Sequence, residues 1–394
     1  MKQSIASQAQ ELFPYTQSMR RDFHRHPELG FHEVRSAGIV ANELGKLGLE
    51  VHAGIAETGV VGLLENAAPG PTILLRFDMD ALPITEATGA EYASTVPGVM
   101  HACGHDSHMA IGLTVARMLK ELSPELCGQI KFVFQPAEEV LGGAERMVKE
   151  GVLKDPKPDV ALAMHVWNER PLGWVGLASG PVMAGADFFD IQITGKGGHG
   201  AMPQTAHDPI MAAAAVILAL QSIVSRNVSP FESAVVSVTQ IVSGETYNVI
   251  PEKALLKGTI RAFERSVREQ VVARLEEVVI GTCRALGCEA TINYLPYTPA
   301  VINDKGVTAI VVDVARKLFS PEEVDTTYQS MGSEDMAFIL NEIPGCFMLI
   351  GSANNEKGLN AGHHHPKFDF DEAVLPRAVT LMVSTVAELL KKTP

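Results

Sequence analysis

The chain has 394 residues, of which 46% are hydrophobic and 20% are charged, and its formal net charge is −14. This composition is typical of a globular protein, and the length exceeds what one hydrophobic core usually supports, so we expect two domains. The excess of negative charge argues against binding to nucleic acid or to an anionic membrane surface.

The first residues lack the apolar run of a signal peptide, and no stretch reaches the roughly 20 apolar residues of a membrane span. We therefore expect a cytoplasmic protein. The cysteines are few and odd in number, which favours free thiols and a metal ligand over a framework of disulfides. They are Cys103, Cys127, Cys283, Cys288 and Cys346.

The N-terminal part of the chain predicts helices and buried strands, the last of which ends in acidic residues. Helices are expected over 3–26 and 36–47, and strands over 60–64 and 72–77. The second of these strands is apolar throughout, as a buried parallel strand would be. It leads to Asp78 and Asp80, and open α/β sheets build their sites at the carboxyl ends of such strands. The alternative is that both aspartates only cap a turn.

Residues 99–108 carry the densest set of metal-binding side-chain types in the sequence. A thiol, three imidazoles and a carboxylate fall within these ten positions. A single buried Cys or His is usually structural, but this density indicates a metal site. Cys103 and His105 can bind one ion, and Asp106 is predicted to hold the other ring nitrogen of a ligand. An apolar helix is expected to follow over 109–122.

Polar side chains also follow two further predicted strands, which are expected over 130–135 and 159–164. The first leads to Glu138 and Glu139, and the second leads to His165. Adjacent carboxylates after a buried strand repel each other unless a cation compensates them, although a solvated loop is the alternative. If one binds a metal, its neighbour can act as general base. Because the pattern occurs three times, we expect these residues and Asp80 to share one rim of the sheet.

From about residue 184 the pattern changes to alternating strands and longer helices. Strands are predicted over 188–194, 234–241, 254–263 and 290–294, and helices over 208–225 and 267–286. Strand, helix, strand, strand, helix, strand is the split βαβ order of a ferredoxin-like sandwich. We therefore expect an inserted domain over 184–296. A Gly-rich loop at 195–200 contains His199, which from the residues alone would be an ordinary loop residue.

After Pro299 the chain returns to an α/β pattern. A helix is predicted over 306–318, and residues 330–335 are expected to open another. A short buried strand over 347–350 leads to three adjacent histidines before Pro366.

Eight motifs can be compared with a known family. In chain order they are FDMDALP, GVMHACGHDSH, FQPAEE, GKGGHGAMP, NVIPE, GTIRAF, GSEDMAF and HHPKFDFDE. They resemble the aminoacylase and hippurate hydrolase family of metallopeptidase-like amidohydrolases, which also includes plant auxin-conjugate hydrolases. The resemblance extends from about residue 15 to 390 and so crosses both expected domains. Eight ordered motifs are far more specific than any one of them.

The resemblance implies an α/β fold with an aminopeptidase-like catalytic domain and a mostly parallel central sheet. This domain would comprise residues 1–183 and 297–394, and the inserted ferredoxin-like domain over 184–296 would be a lid that also mediates homodimerisation. Two divalent metal ions would be bound by Cys103, His105, Glu139, His165 and His364. His364 is preferred to His363 because the family's ligand stands two residues before the proline, although the family more often has an apolar residue at position 363.

The resemblance also assigns roles to residues that bind no metal. Glu138 would be the general base, and Asp80 would be the carboxylate that fixes the orientation of a metal ligand. In the inserted domain, His199, Asn248 and Arg261 match positions that polarise the scissile carbonyl or bind the substrate carboxylate. His199 is a candidate to act across the dimer.

We therefore expect a metal-dependent amidohydrolase that cleaves N-acyl amino acids, small-molecule substrates, into a carboxylic acid and an amino acid. One alternative is a carboxypeptidase or dipeptidase on short peptides, which would need an acidic group near the substrate amine. Another is a non-catalytic metal-binding dimer, which Glu138 argues against because storage would need only Glu139. A thiolate ligand favours zinc, and manganese, cobalt and nickel are alternatives. The preferred acyl group is not specified by the motifs.

Overall fold

The structure, a computed structural model, describes residues 4–139 and 142–391. The chain divides into two compact units. The first comprises residues 1–182, 302–329 and 335–394, and the second comprises 183–301 and 330–334. Each unit has its own hydrophobic core.

The helices and strands are numbered in chain order. The helices are α1 (Ile5–Glu11), α2 (Phe13–Arg25), α3 (Val34–Lys46), α4 (His105–Leu122), α5 (Gly143–Lys149), α6 (Pro209–Arg226), α7 (Arg265–Ala285), α8 (Lys305–Leu318), α9 (Ala337–Leu340) and α10 (Val374–Leu389). The strands are β1 (Glu50–Ile55), β2 (Gly59–Glu65), β3 (Ala68–Asp78), β4 (Cys127–Gln135), β5 (Val160–Pro171), β6 (Val175–Gly176), β7 (Gly180–Met183), β8 (Gly185–Thr194), β9 (Gly198–His199), β10 (Ala234–Ser243), β11 (Val249–Ile250), β12 (Lys253–Ala262), β13 (Glu289–Thr298), β14 (Val301–Asn303), β15 (Val324–Asp325) and β16 (Gly345–Ala353).

The first unit is built on a mixed eight-stranded sheet with the strand order β1-β2-β4-β3-β5-β16-β6-β15. The four central strands, β4, β3, β5 and β16, run parallel to one another. Antiparallel pairs add β2 and β1 on one side and β6 on the other. The central strands are buried along most of their length, which explains their continuous apolar sequence. The predicted α/β class with a mostly parallel central sheet is confirmed.

Several elements differ from those predicted. The expected helix over 3–26 is two helices, because the chain turns at Leu12 just before Pro14, and proline begins helices more readily than it continues them. Strand β1 was not predicted, since it is mostly exposed and has no apolar run. Helix α10 was also missed. Residues 330–335 are followed by a helix of only four residues, α9.

His165 lies inside β5 and not after its end. The predicted strand stopped at residue 164, but β5 continues to Pro171 because it pairs with β16 along that length. β3 pairs with β5 only as far as Arg76 opposite Ala163. His165 therefore lies beyond the last pair with β3, close to Asp78 where β3 ends.

The second unit contains a four-stranded antiparallel sheet with the order β10-β12-β8-β13. Helices α6 and α7 pack on one face of this sheet, where apolar side chains such as Val216 and Val271 meet Ile191 and Leu256. In chain order these elements are strand, helix, strand, strand, helix, strand, which is the arrangement of a ferredoxin-like sandwich. A separate two-stranded ribbon pairs β9 with β11.

Among the described residues, α6 alone is long and apolar enough to cross a membrane by length and composition. It has 18 residues and a mean hydropathy of 1.6. One side of α6, including Ala212, Val216 and Leu220, lies in the core of the second unit. A core helix of a globular unit meets the same criterion, so the finding is weak support for a membrane span.

Candidate metal centre and active site

The start of α4 places Cys103 and His105 on one tight turn. Gly104 between them has φ of 92°, a conformation that residues with a Cβ rarely adopt. A Cβ at this position would also lie 2.4 Å from Cγ2 of Val166 in β5. Only glycine therefore allows α4 to begin this close to β5, and His105 is fully buried as a result.

The structure brings all five predicted ligands together in the first unit. Sγ of Cys103 lies 3.5 Å from Nε2 of His165. Oε1 of Glu139 lies 3.3 Å from Nε2 of His364 and 4.0 Å from Nε2 of His105. These residues come from four separate segments of the chain, so the fold and not the local sequence assembles the cluster.

Glu139 belongs to two overlapping groups of ligand atoms, each with all of its atoms within 4.8 Å of one another. One group consists of Cys103, Glu139 and His364, and the other consists of His105, Glu138 and Glu139. Two groups that share one carboxylate are what a pair of neighbouring ions would need. Glu138, which of these two groups belongs to the second only, is buried.

The donors of this cluster suit divalent transition metals. Nδ1 of His105 donates to the carbonyl of Asp80 at 2.9 Å, and Nδ1 of His165 donates to the carbonyl of Val166 at 2.6 Å. Each bond leaves a lone pair on Nε2, as a metal ligand requires. Over residues 4–139 and 142–391, Nε2 of His105 is one of the buried polar atoms without a hydrogen-bond partner. A metal ion would satisfy it, and imidazole, thiolate and carboxylate together are typical of zinc-like ions.

Buried carboxylates dominate the electrostatics of the cluster. Burial lowers the pKa of His105, but Asp78 and Asp80 outweigh burial and raise that pKa to about 10. Burial and the nearby charge of Glu139 raise the pKa of the Cys103 thiol well above its ordinary value. Without a further cation, His105 would stay protonated and Cys103 would stay a thiol. A divalent ion would compensate the carboxylates and allow both ligands to lose their protons.

Asp80 fixes the backbone that carries the two adjacent glutamates. Its Oδ1 accepts a hydrogen bond from the backbone N–H of Glu138 at 3.0 Å, and its Oδ2 accepts one from that of Glu139 at 2.9 Å. Oδ1 also lies 3.3 Å from Nδ1 of His105. Asp80 therefore holds the ring of His105 through its carbonyl, and it holds the loop that supplies the glutamates through its carboxylate.

The three adjacent histidines have different environments. His363 is partly buried against Trp167 and Phe368, and its Nε2 donates to the carbonyl of Val166 at 3.0 Å. Burial lowers the pKa of His363 to about 4, so this ring is neutral. His364 has a positive φ of 63° and turns toward Glu139. The backbone geometry thus presents His364 to the cluster and uses His363 for packing.

One residue at the cluster, His108, was not assigned a role from the sequence. His108 accepts the backbone N–H of Val166 on Nε2 at 3.0 Å and donates from Nδ1 to Asp78 at 2.6 Å. Although His108 lies close to His105 and His165, both of its nitrogens are already used. It therefore supports the strand that carries His165. Its spacing of three residues from His105, on one helix face, was the available signal.

The predicted role of Asp106 is wrong. Its Oδ2 accepts hydrogen bonds from Arg20 at 2.9 Å and from His24 at 2.8 Å, and it holds no ligand ring. The physical reason is that consecutive helical residues point about 100° apart, so Asp106 faces away from His105 toward α2. Arg20 also binds Asp369 at 2.7 Å. This buried ion-pair cluster joins α2, the start of α4 and the segment that follows the three histidines.

The predicted site residues of the second unit fall in two places. His199 and Asn248 are exposed and lie together on the β9–β11 ribbon, where His199 pairs with Val249. Arg261 lies on β12, on the face of the sheet opposite the helices. It is half-buried and, within the described part of the chain, it forms no salt bridge with a carboxylate, although it contacts Phe188 and Thr259. Burial lowers the pKa of Arg261.

A mixed, mostly parallel sheet that carries a buried cluster of thiol, imidazole and carboxylate donors defines the class of an α/β metallohydrolase. Residues 74–388 match the sequence model of Peptidase family M20/M25/M40, so the chain belongs to this family. The resemblance drawn from the eight motifs is thereby confirmed.

Three relatives of this chain are named for different hydrolytic activities. IAA-amino acid hydrolase ILR1-like 4 of Arabidopsis thaliana is 39% identical, covering 96% of this chain and 87% of its own. N-acetylcysteine deacetylase of Bacillus subtilis (strain 168) is also 39% identical, covering 91% and 92%. Thermostable carboxypeptidase 1 of Saccharolobus solfataricus is 36% identical, covering 95% of both chains. All three relatives are similar to this chain over most of their own length.

A solved structure supports the same assignment. The crystal structure of the Bacillus subtilis YXEP protein is described as a dinuclear metal-binding peptidase of the M20 family. It is similar to this chain with a TM-score of 0.85 and 34% identity, over 97% of this chain and 99% of that one. This chain is therefore a hydrolase, and it belongs to a family that includes dinuclear metal-binding enzymes.

Proposed function

We propose that the protein hydrolyses the amide bond of N-acyl amino acids with two divalent ions, for which zinc is the first candidate. The observation that carries this proposal is the pair Glu138 and Glu139 on one loop. Glu139 belongs to both groups of ligand atoms, while Glu138 belongs to only one of them. A metal store would need only the ligand, whereas hydrolysis needs a ligand and a base.

The ligands Cys103, His105, Glu139, His165 and His364 would hold the ions. When bound, the ions supply Lewis acidity, which polarises the amide carbonyl and makes water more acidic. Glu138 would take a proton from the attacking water and deliver it to the leaving nitrogen, so that the amino acid departs as an amine. Asp80 would keep Glu138 in place through the backbone hydrogen bond described above.

We assign recognition of the substrate to the second unit. Arg261 offers a half-buried guanidinium that lacks a carboxylate partner among the described residues, which suits the free carboxylate of an amino acid. His199 and Asn248 are exposed on a ribbon, where they are available to polarise the scissile carbonyl. On this proposal the second unit acts as a lid.

We also propose that the protein is a cytoplasmic homodimer formed through the second unit. Strand β10 is an edge strand with exposed Ile241 and Val242, and α6 exposes Met211 and Leu218, of which Leu218 is 75% exposed. An edge strand presents unpaired backbone groups to which a second chain can add, and exposed apolar side chains beside it suit such a contact. His199, exposed in one chain, would then be free to reach the site of the partner. The cysteines are free thiols, in keeping with a reducing compartment.

The second candidate function is peptide cleavage, which is favoured by the similarity to a carboxypeptidase. A panel would separate the two: N-acetyl, N-benzoyl and indole-acetyl amino acids against dipeptides with a free amine, each with zinc, manganese, cobalt or nickel added after chelation. We expect hydrolysis of the N-acyl compounds and weak or no cleavage of the dipeptides. Faster cleavage of the dipeptides would establish the carboxypeptidase function, and no hydrolysis of either class would refute both.

A further inference from the structure

Three successive backbone N–H groups, those of residues 137–139, are each bound by a buried carboxylate oxygen. Asp80 binds the second and third, as described above. The first belongs to Ala137 and is bound at 2.9 Å by Oε1 of Glu33, a fully buried residue that precedes α3. The loop with the two glutamates is thus held from two sides, by side chains 47 positions apart in the sequence (80 minus 33).

The backbone at Ala137 needs such a restraint. Its φ is 53°, in the left-handed region, which is unfavourable for a residue with a Cβ. The loop is also tightly enclosed on another side, since a Cβ on Gly143 would lie 1.8 Å from the carbonyl oxygen of Pro136. An unfavourable conformation that is retained next to a functional residue usually has a role in positioning it.

A simpler explanation for Glu33 would be that it caps α3. It occupies the N-cap position, but among the residues described its side chain makes no capping hydrogen bond. The carboxylate instead reaches Ala137 with one oxygen and accepts the hydroxyl of Thr58 at 2.5 Å with the other. Both oxygens are therefore directed toward the loop and its surroundings and not toward the helix.

We propose that Glu33 is a positioning residue for the reaction: it holds the Ala137 peptide so that Glu138 and Glu139 point at the metal centre. This inference rests on the proposed role of Glu138 as general base. Glu33 contacts none of the proposed ligands in its hydrogen bonds, so its effect on catalysis would pass through the backbone of the loop.

The test compares three substitutions of Glu33. Glu33→Gln keeps an acceptor for Ala137 while its amide can donate to Thr58, so turnover should stay within about 3-fold of wild type. Glu33→Asp keeps the charge but withdraws the oxygens by about one C–C bond, or about 1.5 Å. Glu33→Asp and Glu33→Ala should lower kcat by roughly 10- to 100-fold, with little change in KM, the scale expected of a small misplacement. The substrate is the preferred compound of the panel above.

Glu28 provides a matched control. It is a partly buried glutamate in the same segment, and it accepts the backbone N–H groups of Arg35 and Ser36 at 2.8 Å each. Glu28→Ala removes the same kind of contact without touching the loop, so its kcat should remain near that of wild type. Thermal unfolding and bound metal are measured for every variant, which identifies any that fold poorly.

Each outcome bears on a different claim. A kcat lowered in Glu33→Asp but retained in Glu33→Gln supports the positioning role. Unchanged kcat in Glu33→Ala, or equal losses of kcat in Glu33→Ala and Glu28→Ala, would overturn it. Glu138→Gln is assayed in parallel: if it retains full turnover, the proposed base is wrong, whereas an inactive Glu138→Gln beside a fully active Glu33→Ala refutes only the inference about Glu33.

Discussion

Titration of His24 should make the stability of the first unit depend on alkaline pH. The ring is fully buried, with Nδ1 2.8 Å from Oδ2 of Asp106 and Nε2 3.4 Å from Oε1 of Glu86. Burial lowers the pKa of His24, but the charge of Asp106 and the hydrogen bonds to both carboxylates outweigh burial and raise that pKa from 6.5 to about 9. His24 is therefore a cation at neutral pH.

The size and direction of the effect follow from this pKa. A group with a higher pKa in the folded state contributes stability that is fully present below its unfolded pKa and is lost as pH rises through its folded pKa. For His24 this window extends from 6.5 to about 9. At 1.36 kcal/mol per pKa unit, the full contribution of His24 to the free energy of unfolding is about 3 kcal/mol.

The assay is denaturant unfolding of the wild type and of His24→Gln at intervals from about pH 6 to pH 10. The difference in the free energy of unfolding should be largest near pH 6 and should shrink by about 3 kcal/mol toward pH 10, since the wild type loses the cation there. His52→Gln is the control, because His52 lies on the exposed strand β1 and its side chain is 55% exposed. If the wild-type and His24→Gln curves ran parallel over the whole range, the argument would be refuted.

Three further predictions concern the site. Glu138→Gln should keep its metal and lose turnover by about 100-fold or more, whereas Glu139→Gln should lose metal affinity; metal analysis beside kinetics would show whether these roles are reversed. Cys103→Ser and His165→Ala should each bind less metal while keeping their far-ultraviolet circular dichroism, and full occupancy in both would contradict the ligand assignment. Arg261→Ala should raise KM for N-acyl amino acids by about 10- to 150-fold but hardly affect the matching carboxamides, and equal losses on both would leave Arg261 a structural role only.

The fold class could be predicted because the central strands are encoded locally. β3 and β4 are continuous apolar runs, and a run of that kind indicates a buried parallel strand wherever it lies in the chain. Part of the candidate cluster could also be identified locally, since Asp80, Glu138 and Glu139 follow strands whose carboxyl ends meet at one edge of the sheet. His364, in contrast, was assigned only from the family resemblance. The exposed edge strand β1 has neither signal, so no local pattern could have identified it.

The partners of the buried charges could not be predicted in the same way. Asp106 looked like a support for a metal ligand, because its neighbours in the sequence are candidate ligands. Its actual partner, Arg20, comes from a helix 86 residues earlier, and the pairing is set by how α2 packs on α4. Side-chain direction on a helix changes with every residue, so closeness in sequence does not show which group an acid faces.

Several buried carboxylates of the first unit have partners within the protein itself. Asp80 and Glu33 accept backbone N–H groups, and Asp335 accepts the N–H of Ala144 at 2.9 Å while it pairs with Arg76. These acids have partners whether or not a metal is present, so the loops that they hold should keep their conformation when metal is removed. Nε2 of His105, in contrast, has no such partner among the residues described. Metal loss should therefore affect the ligand side chains and spare the backbone that carries them, which is why reduced metal occupancy is expected without loss of the fold.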